Sequence, residues 1–233
     1  MTPPSQFQTY FAIGLTLVAF VLAVNVYERN GKTPWLNPLM VSIGLVAMVI
    51  SLLGIDVKTY RQGTAVFDLL LGPAVISLAI PIREHLQQIK RGLEMVLCAI
   101  AIGSVAAIFS ALTIAVMFHA SHALAMSLAP KSVTSPVAIL ISEKLGGIAN
   151  LSAVFVIITG MIGAVLGKHI FRFVDVECEK AQGLAYGTSS HILGTVEAFT
   201  KSQACGVYSA FAMGANAVLT AILLPLILVR FSL

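Results

Sequence analysis

The chain has 233 residues, of which 58% are hydrophobic and 10% charged, and its mean hydropathy is +0.95. A soluble domain carries about 25% charged residues to cover its outside, so this composition excludes a water-soluble enzyme, a disordered chain and a nucleic-acid binder. The net charge of +4, from 14 basic and 10 acidic residues, reads in an integral membrane protein as loop bias rather than as an anion-binding face.

No Asp, Glu, Lys or Arg precedes Glu28. The run 10–27 is apolar enough to cross a bilayer. Its positive flank, Arg29 and Lys32, follows it, which suits a retained first helix rather than a signal peptide. The next charge-free run is 35–55, with Trp35 as an interfacial anchor and Asn37-Pro38 as a helix entry. Runs 95–118, 148–167 and 204–229 also have about the 20 residues that a core of about 30 Å requires. A shorter run, 67–82, contains Pro73 and Pro81. Proline removes a ladder hydrogen bond, so this segment is expected to be covered by protein rather than lipid.

Small residues recur every four positions at Ala99, Gly103, Ala107, Ala111 and Ala115. Gly160/Ala164, Gly163/Gly167 and Ala210/Gly214 make shorter pairs of the same kind. Such faces let helix backbones approach closely, and internal packing is favoured over a dedicated oligomer seam. Cys98, Cys178 and Cys205 are too far apart for a disulfide framework or a zinc motif, and Cys98 and Cys205 read as packing residues. The whole predicts an all-α fold, a polytopic membrane helical bundle of about six to eight helices in one domain over 1–233.

Two stretches fit neither lipid-facing helix nor simple loop. In 119–145, apolar half-helices at 120–128 and 136–141 flank Ala129-Pro130-Lys131-Ser132-Val133-Thr134-Ser135. Pro130 ends the first half. Ser135 is placed to cap the second, with Pro136 at its first position. In 181–200, Gly187 makes a break followed by Thr188, Ser189, Ser190 and His191, with Gly194-Thr195 one turn on. One of the hydroxyls caps a helix running to about residue 200. Irregular backbone at membrane depth survives only where protein buries it or it lines a wet cavity. Freed N–H groups at a helix start favour an anion, and Lys131 adds a full positive charge. Hydroxyls and amides suit a small carboxylate. The candidate binding residues are therefore Lys131, Ser132, Thr134, Ser135, Thr188, Ser189, Ser190, His191, Thr195 and Asn216.

Each has a plainer alternative. Lys131 is a functional cation or a snorkelling interfacial residue. His191 is a ligand and proton carrier, since imidazole changes charge near physiological pH, or a structural donor. Asn216 is polar within the last span, and a bridge between helices is its favoured role. Glu143 and Glu197 are proton-coupling carboxylates or, more simply, partners of Lys144 and Lys201. His119 and His122, three apart, share a helix face but lack companion ligands for a metal. No cofactor or metal is expected. Nor is catalysis, since the adjacent Ser-His pair is not a triad spacing. If both stretches enter and leave on one side, Lys and Arg other than Lys131 and Lys201 divide eight to four. The richer side is then cytoplasmic and the N-terminus outside.

These motifs resemble the LrgB/CidB family of bacterial membrane proteins. The resemblance rests on 130–136 (PKSVTSP), Ile141-Ser142-Glu143 with Gly146-Gly147, 153–160 (AVFVIITG), Gly187 to His191 with Gly194-Thr195, and Ala212-Met213-Gly214 with Asn216. They occur in order and cover essentially the whole chain. The resemblance implies a multi-pass plasma-membrane protein working with a smaller LrgA/CidA-type membrane partner or as a homo-oligomer. It implies one of two roles. The first is carriage of a small carboxylate such as glycolate, glycerate or pyruvate. The alternative is holin/antiholin-like modulation of murein hydrolase activity and lysis. Ser135 stands where most relatives have Thr and keeps the hydroxyl. Ser190 stands where a smaller residue is usual, which bears on pocket shape.

Overall fold

The structure is a computed structural model and describes residues 5–31, 33 and 36–231; Lys32 and the expected anchor Trp35 lie outside them. Among the described residues its regular structure is all helical, with no strand, and it falls into two compact units, 1–79 and 80–233.

The first unit opens with α1 (Gln6–Arg29). Ser5 caps it in a reciprocal box with Gln8, satisfying two of the free N-terminal donors. α2 (Pro38–Leu52) starts as Asn37-Pro38 predicts: Asn37 accepts from the Leu39 N–H at 3.0 Å and Pro38 occupies the first turn. At 15 residues it is shorter than the expected run and than the about 20 needed to span. α3 (Val57–Gly63) lies on α1. A Cβ on Gly63 would sit 2.9 Å from Ala12 Cβ, and the Tyr60 hydroxyl is 2.6 Å from Thr16 Oγ1. α4 (Ala65–Ser77) carries Pro73 inside it and has no buried residue. Leu69 and Ile76 on it are 76% and 72% exposed.

The second unit contains α5 (Ala79–Glu84), α6 (Leu86–Arg91) and three long helices: α7 (Leu93–Met117), α10 (Ala149–Phe173) and α12 (Gln203–Phe231). Five stretches are long and apolar enough to cross a membrane: α1, residues 65–84, α7, α10 and 203–227 of α12. The chain is a multi-pass membrane protein with an all-α fold.

Between α7 and α10 lie α8 (His122–Leu128) and α9 (Ser135–Lys144), separated by the non-helical 129–134. The two halves double back. His122 Nε2 is 3.2 Å from the Leu145 carbonyl, and Ser127 Oγ accepts from the Ile148 N–H at 2.7 Å. α11 (Glu179–Lys201) also reverses, at His191 (φ 43°, ψ −134°). Glu179 accepts from Ser202 Oγ at 2.7 Å, and Gln182 accepts from Lys201 Nζ, although 23 and 19 residues separate these pairs. Each interrupted segment is thus a helical hairpin that leaves where it enters. The first lies at the start of α10 and the second at its end. α10 is long enough to span, so the hairpins enter from opposite ends.

Glycine positions explain how the second hairpin fits. A Cβ on Gly167 would lie 2.8 Å from the Tyr186 ring, one on Gly163 2.7 Å from Ser190 Cβ, and one on Gly160 2.9 Å from Leu193 Cδ1 and against the His191 ring. This face of α10 is a bed for the hairpin, as its small-residue spacing suggests. Gly187 performs the same service on α12 and is not the break. Its Cβ would meet the Ser209 carbonyl and lie 2.9 Å from both Ala212 Cβ and Met213 N. The break falls four residues later, so none of Thr188, Ser189 and Ser190 caps a new helix. On α7 the buried face runs through Val96, Ile100, Ser104, Ile108 and Ala115. Gly103 packs on Thr188 Cγ2 within the unit, whereas Ala99 and Cys98 are exposed. Gly214, expected to pack, meets nothing within 4 Å.

These contacts separate two glycines of one helix pair. Gly187→Ala is expected to destabilise by about 1–3 kcal/mol through overpacking. Gly214→Ala is expected to be neutral or to gain up to about 1 kcal/mol from helix propensity. Thermal unfolding in detergent reads both, and equal midpoints would contradict the packing described.

Candidate functional site

The two hairpin tips meet between α7 and α12. Asn216, fully buried near the middle of α12, donates from Nδ2 to the Ser132 carbonyl at 3.2 Å and the Thr188 carbonyl at 2.9 Å. Its Oδ1 accepts from Ser104 Oγ of α7 at 2.5 Å and from Thr220 Oγ1 at 3.4 Å. Carbonyls only accept, so the amide's orientation is dictated by its partners. Both donors are used and neither oxygen lone pair is idle. Asn216 is the bridge between helices that sequence favours, and it has no N–H left for a ligand.

Around this bridge the first tip places Lys131 and Ser132. Lys131 is half-buried and its Nζ donates to the Ala107 carbonyl at 3.4 Å. No carboxylate pairs with it among the described residues. Ser132 is 1% exposed, and its Oγ has no hydrogen-bond partner. Val133 packs with Ala138 of α9 and Val156 of α10, holding the tip against the span. Thr134, not Ser135, stands at the cap position of α9, and it makes no side-chain cap bond. Pro136 in the first turn removes one donor that would otherwise need capping.

The second tip is built on His191. Its Nε2 is 2.8 Å from the Val156 carbonyl. That partner only accepts, so Nε2 carries the hydrogen and donates. Nδ1 is buried and has no partner. The residue's positive φ is rare for a side chain larger than glycine and costs of order 1–3 kcal/mol. Thr195 Oγ1 donates to the His191 carbonyl at 2.9 Å and lies 2.9 Å from Ser209 Oγ, fixing the turn to α12. Ser190 is 1% exposed and its Oγ is 3.0 Å from Ser189 Oγ. Ser189 itself is exposed, donates to the Ala185 carbonyl at 2.7 Å and turns away from the crossing.

The sequence-predicted set is therefore partly assembled. Ser132, Thr188 and Asn216 share one hydrogen-bonded junction, with Lys131 on the first tip, and Ser190, His191 and Thr195 form the second tip. Thr134 and Ser135 stay on the α9 side without a contact to the second hairpin among the described hydrogen bonds. Ser104 and Ser209 are not among the residues the sequence singles out, whereas the glycine face of α10 is. Ser104 was legible only as a lone hydroxyl inside an apolar run. His119 stands in the turn at φ 50° and His122 opens α8, so the two do not share a helix face. Lys201 bonds Gln182 rather than Glu197, whose cationic neighbour is Lys168 of α10. A cavity of about 400 Å³ in the first unit, lined by Phe7, Phe11, Leu53, Ile55 and Tyr60 among others, contains none of the predicted residues.

Comparison with known proteins gives the family. The LrgB-like family model matches residues 16–229, and the chain belongs to that family. It is 33% identical to "Uncharacterized protein YwbG" of Bacillus subtilis, over 92% of this chain and 95% of that protein. It is 30% identical to "Holin-like protein CidB" of Staphylococcus aureus and 29% identical to "Holin-like protein CidB" of Staphylococcus epidermidis, in each case over 96% of this chain and 97% of the relative. No solved structure matches.

The strain at His191 yields a comparison of two substitutions that both delete the imidazole. His191→Gly is expected to be more stable than His191→Ala by about 1 kcal/mol, because glycine adopts positive φ freely. The midpoints of thermal or denaturant unfolding read the difference; alanine matching or exceeding glycine would mean that the turn is not strained.

Proposed function

From membership of the LrgB-like family and the crossing at Asn216, we propose that the chain passes a small carboxylate across the membrane as a carrier or facilitator. The observation that supports this is the meeting of two hairpins from opposite ends at one mid-span amide, with a cation and unpartnered polar atoms beside it. Lys131 balances the anion's charge. Ser132 Oγ donates to a carboxylate oxygen. His191 Nδ1 accepts from a hydroxyl on the solute or, protonated, donates to the carboxylate, which would couple a proton to passage. Thr134, Ser135, Thr188 and Ser190 contribute hydroxyls around the path, and Thr195 and Asn216 hold the backbone that forms it. Alternating access would move one hairpin at a time. The role is non-enzymatic, and the solute is a molecule of the glycolate, glycerate or pyruvate type.

We place the chain in the bacterial plasma membrane as one membrane domain, because the family match runs through both compact units. Both polar stretches leave on the side they enter, and with the run 35–55 taken as a further crossing, short as α2 is, the basic residues other than Lys131 and Lys201 divide eight to four. On that division the N-terminus lies outside.

The relatives' names favour a second reading more than the first: a holin-like modulator of lysis acting with an LrgA/CidA-type membrane partner or as a homo-oligomer. A seam for such assembly needs outward small residues. Gly103 packs inside the unit, so exposed Ala99 is the residue on which to test it.

Reconstituted in proteoliposomes, the purified chain is expected to take up labelled pyruvate, glycolate or glycerate, with and without a proton gradient. Lys131→Ala should lower uptake at least about ten-fold, the loss of roughly 1.4 kcal/mol of solute stabilisation, and leave folding intact. Ala99→Leu should leave uptake unchanged. Uptake of none of these solutes, together with altered autolysis that Ala99→Leu abolishes and Lys131→Ala spares, would replace the carrier by the holin-like reading.

A further inference from the structure

We propose that Asn216 is a two-sided latch, a positioning residue whose two N–H bonds each hold one hairpin tip shut. This rests on the reading of the crossing as a solute path. One N–H holds the carbonyl of Ser132, on the tip that enters from the start of α10. The other holds the carbonyl of Thr188, on the tip that enters from its end. The amide oxygen is fastened separately, to Ser104 of α7 and Thr220 of α12. When one tip withdraws toward its own side, the amide stays anchored to both long helices and keeps its hold on the other tip. The path then opens to one side at a time. No group other than Asn216 bonds both tips among the described hydrogen bonds, and its full burial keeps water from replacing either bond.

The neighbouring contacts fit a clamp that is released tip by tip. Among the described hydrogen bonds the first tip has one other polar tie to the long helices, the 3.4 Å bond from Lys131 to the Ala107 carbonyl. The second tip is held to α10 through His191 and Val156 and to α12 through Thr195 and Ser209. Loss of the amide would therefore free the first tip more completely than the second.

The test reads accessibility and needs no solute. In the full chain with Cys98→Ser and Cys178→Ser, Ser132→Cys or Thr188→Cys serves as reporter, and native Cys205, fully buried on α12, serves as internal control. A membrane-impermeant maleimide is applied to either face of oriented vesicles. With Asn216 present both reporters are expected to react slowly. With Asn216→Leu, Ser132→Cys should react at least ten-fold faster from the face at the start of α10. Thr188→Cys should gain a smaller increase from the opposite face, and Cys205 should not change. Asn216→Ser, polar but too short to reach both carbonyls, is measured beside it and should behave alike if the leucine variant does not fold. Unchanged reporter rates in a folded variant would overturn the latch. So would rates that rise together with Cys205, which would mean general loosening. The expected labelling pattern with no carboxylate uptake would keep the latch and remove the carboxylate.

Discussion

A peptide group inside a bilayer has no water to bond, and everything in the second unit is arranged around that constraint. Breaking a helix at mid-depth frees carbonyls and N–H groups that each cost several kcal/mol if left alone. The chain breaks twice. It answers with one side chain that takes a carbonyl from each break, Asn216, and with proline and a strained histidine that limit what is freed. A lone asparagine in an apolar span is ordinarily a helix-to-helix bond. Here it is the point at which two segments from opposite ends of α10 become a single structure.

Close approach makes the rest possible. The second hairpin lies on α10 through Gly160, Gly163 and Gly167 and against α12 through Gly183 and Gly187, leaving no room for a side chain at any of them. This intimacy pins His191 where its imidazole bonds Val156, and the surrounding contacts over-determine a backbone conformation that would relax in an isolated peptide. The same geometry leaves Nδ1 and Ser132 Oγ without protein partners. Buried unpaired polar atoms ask for a reason; of the four among the described residues, Ser142 Oγ and Ser152 Oγ lie on α9 and α10, while Ser132 Oγ and His191 Nδ1 belong to the two tips that the Asn216 bridge joins.

Much of this is visible in residue order because its signals are local. Apolar length marks α1, α7, α10 and α12. Proline marks the first break, and small residues every third or fourth position mark the bed on α10. The misreadings come from signals with two physical meanings. Gly187 is read as a break because glycine permits unusual φ, yet it is present because Ser209 and Ala212 come too close for a Cβ. The true break carries histidine, which local propensity disfavours and only tertiary contacts hold. Ser135 has the right identity for a cap, but Thr134 has the position. Ser104 carries no pattern at all: its value comes from facing Asn216 across 112 residues of chain, a long-range fact that spacing cannot encode.

The two functional readings make different demands on the same helices. A lysis-modulating assembly works through surfaces between molecules, so its polar or small residues belong on outward faces. A carrier works through a path inside one molecule, so they belong at the buried centre. The polar and small residues that the sequence scatters over 103–216 fall largely on the second side of that line. Ser104, Ser132, Thr188, Ser190, His191, Thr195, Ser209 and Asn216 are all buried, and Gly103 turns inward to Thr188. Outward faces of α7 carry Ile102, Ile114 and Met117, side chains that lipid accepts as readily as a partner does. Two of the relatives are named holin-like; the buried junction concerns what one chain holds. The two proposed readings are compatible if solute flux through the proposed path is what alters the cell envelope.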